Sequence, residues 1–325
     1  MEFRTTIKLE PSEEKIGYDT AVMFVGSCFS SYIGNKFQRL KMPVIVNPAG
    51  TVYNPMSVAT TLNAIIDEKV YSVNDLQFNN GKWFSYDHYM DFSMPEREET
   101  LKKINEHRHK GSEMLARASF LFVTFGTARV YRHLATDKIV SNCHKIPAKE
   151  FSREIISVEE IVDVWQPLID RLRAYNPGIK VVFSVSPVRH WKDGAHGNQI
   201  SKSILFLAIE KLIGQNIMAD YFPAYEIMMD DLRDYRYYAD DMLHPSEKAI
   251  NYIWNLFSGR YFDKKTVSLH VDMEKLAKAM GHRPQNSGDG ERRVFAGNTL
   301  RLIENLESRL PLVDFSAEKE YFKGF

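Results

Sequence analysis

The chain has 325 residues and a mass of 37.6 kDa, room for one large α/β domain with an appendage. Its 42 basic and 42 acidic residues cancel, which excludes a global field drawing it to nucleic acid or an anionic membrane. No apolar run approaches the ~20 residues that span a bilayer, and two cysteines, Cys28 and Cys143, exclude a disulfide scaffold or a paired-cysteine metal site.

The first ten residues alternate polar and apolar types and carry Glu2 and Glu10, unlike a secretory signal, so a cytoplasmic location is expected. Residues 21–25 form a short continuous apolar run ending at Gly26, as in a strand buried on both faces of a parallel sheet. Phe29, Tyr32, Ile33, Phe37 and Leu40 then fall on one helix face, which sets Ser27 and Cys28 on a strand-to-helix turn. A second strand is expected over 43–46, followed by Gly50 and Asn54, and a helix carrying Leu62, Ile65 and Ile66. Residues 80–117 read as an insertion; the aromatic-rich segment around His88 either covers a pocket or packs into the core.

A third strand is expected over 120–125, leading to Gly126 and Thr127. Val130-Tyr131-Arg132 and Lys138-Ile139-Val140 flank a turn-like Ala135-Thr136-Asp137, a β-hairpin inserted beside the sheet. Helical periodicity over 161–172 and 204–213 brackets a fourth strand at 180–185, and 224–228 gives a weaker strand signal. The alternation predicts a doubly wound, mostly parallel α/β sheet. Ser246 is placed to cap a last helix carrying Ile250, Ile253, Trp254 and Phe257, so the main domain is expected to end at residue 262. Residues 263–325 read as a helical C-terminal extension interrupted at 285–290, and this extension offers a surface for self-association.

In open α/β sheets, chemistry collects at the C-terminal ends of the strands. Cys28 stands at such an end, on a helix N-terminus that favours a thiolate. Asp241-Met242-Leu243-His244 precedes the last helix, and a carboxylate three residues before an imidazole can hold Nδ1 and leave Nε2 as a base. Gly126 and Thr127 offer donors to an oxyanion. A lone cysteine after a buried strand is also a common core residue, and an Asp-x-x-His pair a common cap. His190 and Arg189, with Lys192 and Asp193 nearby, either line the pocket and bind an anionic substrate group or lie on a solvated loop; His144 and His88 carry the same ambiguity. The ten histidines show no His-Glu-x-x-His spacing, so neither a metal nor another cofactor is expected.

Taken together, Gly26-Ser27-Cys28-Phe29-Ser30, Asn142-Cys143-His144-Lys145, Ser186-Pro187-Val188-Arg189-His190, Asp193-Gly194, Ser201-Lys202, Tyr221-Phe222-Pro223-Ala224-Tyr225-Glu226 and Asp241-Met242-Leu243-His244-Pro245-Ser246 resemble the GSCFA family, a branch of the SGNH/GDSL hydrolases. The resemblance covers roughly residues 20–260 and implies a flavodoxin-like three-layer fold of hydrolase ancestry. It lays Cys28 over the superfamily's serine nucleophile, with Ser27 as the rival, and His244 and Asp241 over the base and its orienter. It also implies an oxyanion site, with Gly50 as the second-block glycine beside the Cys28 N–H and Asn54 and Thr127 as side-chain donors. Ala128 stands where the superfamily has an oxyanion-binding asparagine. The function implied is an esterase or acyltransferase acting on an ester or thioester, a carbohydrate O-acyl ester by family analogy. The alternative is a scaffold that binds a saccharide or acyl ligand without turnover.

Overall fold

The computed structural model describes residues 4–281 and 289–324. In chain order it contains β1 (Val22–Gly26), α1 (Cys28–Arg39), β2 (Val44–Val46), α2 (Pro55–Ile66), β3 (Gln77–Asn79), β4 (Lys82–Phe84), α3 (Arg97–Arg117), β5 (Phe120–Phe125), β6 (Arg129–His133), β7 (Lys138–Val140), β8 (Phe151–Ile155), α4 (Val158–Tyr175), β9 (Lys180–Val185), α5 (Gly194–Gln215), β10 (Ala219–Tyr221), α6 (Ala224–Glu226), α7 (Glu247–Tyr261), α8 (Lys264–Gly281), α9 (Asp289–Arg309) and α10 (Ser316–Lys323).

The chain divides into two compact units. The larger comprises Met1–Lys8, Ala21–Gly34 and Val44–Trp254; the smaller comprises Leu9–Thr20, Asn35–Pro43 and Asn255–Phe325. The smaller unit thus joins the C-terminal segment to residues from near the start of the chain. It recruits two N-terminal segments, through the Ile16–Phe262 bridge and the Phe37, Phe257 and Phe262 rings.

The larger unit is built on five strands in the order β10-β9-β5-β1-β2, with every pairing parallel. Counting only these five strands, the order from the β2 edge is 2-1-3-4-5, the doubly wound order of flavodoxin-like folds. The strands read as unbroken apolar runs because both faces are covered. Met23, Val25, Leu121, Val123, Phe125, Val181 and Phe183 join α2, α4 and α5 in one core cluster. The alternate positions Phe24 and Phe122 are buried too, stacked with ring centroids 4.8 Å apart.

The structure corrects one expectation and adds detail to two others. The weak strand signal at 224–228 is α6 and the following Ile227–Asp231 turn; the fifth strand is β10, three residues too short to show a pattern. The second half of the 80–117 segment is α3, which packs on β1 and β2 as part of the helical cover, so the accessory part shrinks to the β3–β4 hairpin and its loop. The predicted 130–140 hairpin is present as β6 and β7 and gains a third strand, β8, in the order β7-β6-β8. The expected break at 285–290 lies largely outside the described residues, and α9 begins at Asp289.

Candidate active site

The order 2-1-3-4-5 places β1 and β5 at the point where successive crossovers leave in opposite directions, and the crevice outside their C-terminal ends is where such sheets bind ligands. Gly26 ends β1 at φ 135°, a backbone conformation that a side chain would strain. A Cβ there would lie 2.2 Å from Thr124 O. Gly26 N–H donates to Asn47 Oδ1 (2.8 Å) and Ser27 N–H to Thr124 O (3.0 Å), so the turn is tied to both neighbouring strands. Cys28 therefore opens α1 at the crevice.

A cavity of about 460 Å³ lies there, lined among others by Ser27, Cys28, Asn54, Thr127, His190 and His244. Arg189 and Cys143 line it as well. Cys28 is half-buried, whereas Ser27 is 1% exposed and its hydroxyl accepts the Phe29 N–H at 3.3 Å.

His244 arrives on the loop before α7. That loop is closed by the Ala239 N–H to His244 O bond (2.8 Å) and carries Met242 at φ 59°. Asp241 holds it from three directions. Its Oδ1 accepts the backbone N–H groups of His244 and Leu243, each at 2.9 Å, and its Oδ2 meets His244 Nδ1 at 2.5 Å. These bonds, the His244 N–H first, hold the carboxyl down to about 2, below the usual range. Among the described residues no hydrogen bond joins Cys28 Sγ to His244.

Lys202 is the buried charge at the crevice that sequence reasoning passed over, quoted only within a motif. On α5, fully buried, its Nζ donates to Gly126 O and Ser186 O, each at 2.7 Å, at the ends of β5 and β9. Its neighbour Ser201 accepts the Ala128 N–H (2.7 Å) and pairs with the Thr127 hydroxyl (3.0 Å). The Ser-Lys dipeptide therefore pins the crevice loops. Burial pushes Lys202 down to about 7 and the Cys28 thiol up to about 11. Each charged form attracts the other, so a Cys28 thiolate and a Lys202 ammonium favour one another. The helix end does pull the thiol down, through the Cys28 and Phe29 N–H groups, but burial outweighs it. The low resting pKa expected from position alone is thus overturned by desolvation.

The expected oxyanion donors separate. Gly50 N–H donates to Asn47 O (2.8 Å), and the Gly126 and Thr127 N–H groups both donate to Tyr53 O (2.7 and 3.1 Å), so none is free for a ligand. A Cβ on Gly50 would meet Tyr89 Cβ at 2.4 Å; close loop packing is the use of that glycine. Asn54 caps α2, accepting the Ser57 N–H at 2.8 Å, while Nδ2 gives one hydrogen to Ser57 Oγ (3.0 Å) and keeps its second.

The histidines separate likewise. His190 lines the cavity, edge-on to Tyr53 at 5.8 Å, and is pushed down to about 4 by burial and then by Lys202. His144 and His88 are not among the residues lining this cavity. His144 stacks on Phe84 at 4.2 Å, and its Nε2 lies 3.0 Å from both Ser85 O and His88 O. His88 packs against Tyr71 and Phe92. Burial pushes both down to about 4, the signature of neutral packing groups. Among the described residues no cluster of three or more His, Cys, Asp or Glu side chains is arranged to hold a metal ion, and no helix is long and apolar enough to cross a membrane.

The GSCFA family model matches residues 21–257, and that of the GSCFA domain protein C-terminal domain matches residues 273–324. No curated protein matches the chain. Among solved structures, the chain is similar to a carbohydrate esterase family 3 protein from Talaromyces cellulolyticus (9% identity, 78% of this chain, 99% of that chain, TM-score 0.36). It is also similar to a family two carbohydrate esterase from Clostridium thermocellum (12%, 78% and 65%, 0.36) and to an acetyl xylan esterase from Butyrivibrio proteoclasticus (10%, 81% and 65%, 0.37).

Proposed function

The chain belongs to the GSCFA family, and on that premise we propose that it cleaves esters or thioesters through a covalent acyl-cysteine at Cys28. The observation that carries the reading is the shared cavity: Cys28 and His244 both line it, and Asp241 grips the far nitrogen of the imidazole. His244 Nε2 takes the thiol proton as sulfur adds to the carbonyl carbon. The oxyanion is held by the Cys28 N–H and the second Asn54 Nδ2 hydrogen. Collapse breaks the bond to the leaving group, which takes the proton from His244. Water, deprotonated by His244, then adds to the acyl thioester; the C–S bond breaks, the thiol regains its proton and the acid departs. An acceptor hydroxyl in place of water makes the same site a transferase, and an O-acyl sugar as substrate rests on family resemblance alone. With the thiol raised to about 11, proton transfer to His244 must accompany attack rather than precede it. Ser27, sealed and already accepting the Phe29 N–H, is the weaker nucleophile.

Incubation with p-nitrophenyl acetate should add one acetyl group to the Cys28 peptide, seen by mass spectrometry, and Cys28→Ala should abolish it. Acetylation that persists in Cys28→Ala sinks the assignment. A second reading, a scaffold that binds an acyl ligand without turnover, is favoured by the committed N–H groups of Gly50, Gly126 and Thr127 and by the protonated thiol. It predicts saturable ligand binding with neither acetylated peptide nor released acid.

A further inference from the structure

The chain carries no net charge, yet its cavity does. Four cationic side chains line it, Arg129, Arg153, Arg189 and Lys192, against one carboxylate, Asp193. They come from three places: the start of β6, β8, and the loop after β9. One oxygen of that carboxylate is shared by two partners, and Oδ2 is buried without a hydrogen-bond partner. Arg129 Nε lies 3.1 Å from Asp193 Oδ1, Arg153 bonds the same oxygen, and the Asp193 side chain is 1% exposed. Arg189 and Lys192 have no carboxylate partner among the described residues. Lys192 Nζ meets only the Tyr131 hydroxyl (2.8 Å). Arg189 lies with Cζ 4.6 Å from the Trp191 ring centroid, and its Nε is buried without a hydrogen-bond partner. A guanidinium beside an indole, lining the cavity with no carboxylate partner, leaves its terminal N–H groups for an anion. Two cations without a carboxylate partner at one cavity favour a ligand that brings the opposite charge.

We propose that the cavity in front of Cys28 holds an anionic oxygen group of its substrate, a carboxylate or a phosphate, on Arg189 and Lys192, so that this site takes charged rather than neutral acyl compounds. The proposal rests on the reading of the cavity as the place where Cys28 meets its substrate. Arg129 and Arg153, neutralised in part by Asp193, shape the wall behind the anion. Trp191 packs beside the Arg189 guanidinium.

The test needs no knowledge of the substrate. Iodoacetate and iodoacetamide differ by one charge and little in size, so their relative rates of alkylating Cys28, read on the Cys28 peptide by mass spectrometry, report the field at the thiol. Relative to free glutathione, Cys28 should prefer iodoacetate by about 10-fold or more at low salt. The preference should shrink in 0.5 M sodium chloride (roughly a 4 Å Debye length) and in Arg189→Gln or Lys192→Gln. Equal ratios on protein and glutathione, or a preference untouched by both substitutions, overturn the proposal. Protection of Cys28 from iodoacetamide by inorganic phosphate or by succinate identifies which oxyanion the site takes; protection by neither also overturns it. If p-nitrophenyl acetate leaves no acetyl group on Cys28 while the iodoacetate preference holds, the esterase reading falls and the anion site stands.

Discussion

Burial acts on Cys28 and Lys202 toward the same end, the neutral form of each, and this makes them useful as a pair. An unfolded lysine titrates near its ordinary value of ~10.4, so with the folded group down at about 7 unfolding takes up a proton between these values. The Lys202 contribution to stability therefore rises with pH through that window, by about 1.4 kcal/mol per pH unit at most, and the raised Cys28 thiol opposes it above ~8.5, where an unfolded thiol gives up its proton. Lys202→Met should lose that slope in urea unfolding followed from pH 7 to 8.5; an unchanged slope means that the lysine titrates ordinarily in the fold. Asp241 acts through geometry. Asp241→Asn keeps the size but weakens the grip on His244 Nδ1 and admits the wrong tautomer, so acylation of Cys28 should slow by about 10²- to 10⁴-fold. With the side chains of His244 and Asp241 39% and 48% exposed, thermal stability should hardly move.

At the scale of elements, α2 couples structure to the proposed chemistry through its N-cap residue. Asn54 is its N-cap by Oδ1 and the proposed oxyanion donor by Nδ2. Substitutions can separate the two roles. Asn54→Ser retains a capping oxygen, so stability should fall by only a few tenths of a kcal/mol, while loss of the amide should slow acylation by about 10²-fold. Asn54→Ala should slow it equally and cost about 1 kcal/mol in addition. Equal rates for wild type and Asn54→Ser remove Nδ2 from the oxyanion site. The β3–β4 hairpin gives another lesson. His144 looks like a substrate-binding residue because it is a histidine in a family motif, but it joins the loop after β7 to the carbonyls of Ser85 and His88. Its φ of 47°, followed by Lys145 at 59°, shows a backbone bent to make that junction.

Across the larger unit, His88, His144 and His190 are all held near 4 by burial. Unfolded histidines titrate near ~6.5, so between about pH 6.5 and 4 the unfolded chain binds more protons. Stability should fall with acidification there, each group contributing roughly 2–3 kcal/mol by pH 4. Urea unfolding at pH 7, 5.5 and 4.5 should show the decline, and His144→Gln should flatten it by one proton's worth; a profile flat to pH 4.5 contradicts neutral burial of these rings.

What the sequence determined was what depends on neighbours along the chain: the apolar runs of β1, β5 and β9, the period of α4, the glycine at the end of β1, and the Asp241-to-His244 spacing that fits one carboxylate to one ring. Each is a short-range constraint, written in residue type and interval. The three-residue strand β10 left too little pattern to read, and the boundary of the smaller unit depends on segments remote in sequence. Only the tertiary structure decided which N–H groups were already taken, which sides of the cavity carried cations, and that Lys202 ends beneath Cys28's crevice. Those outcomes depend on partners tens to hundreds of residues away. Desolvation is likewise set by everything packed around a group, which is why a thiol that position alone would acidify is held protonated instead.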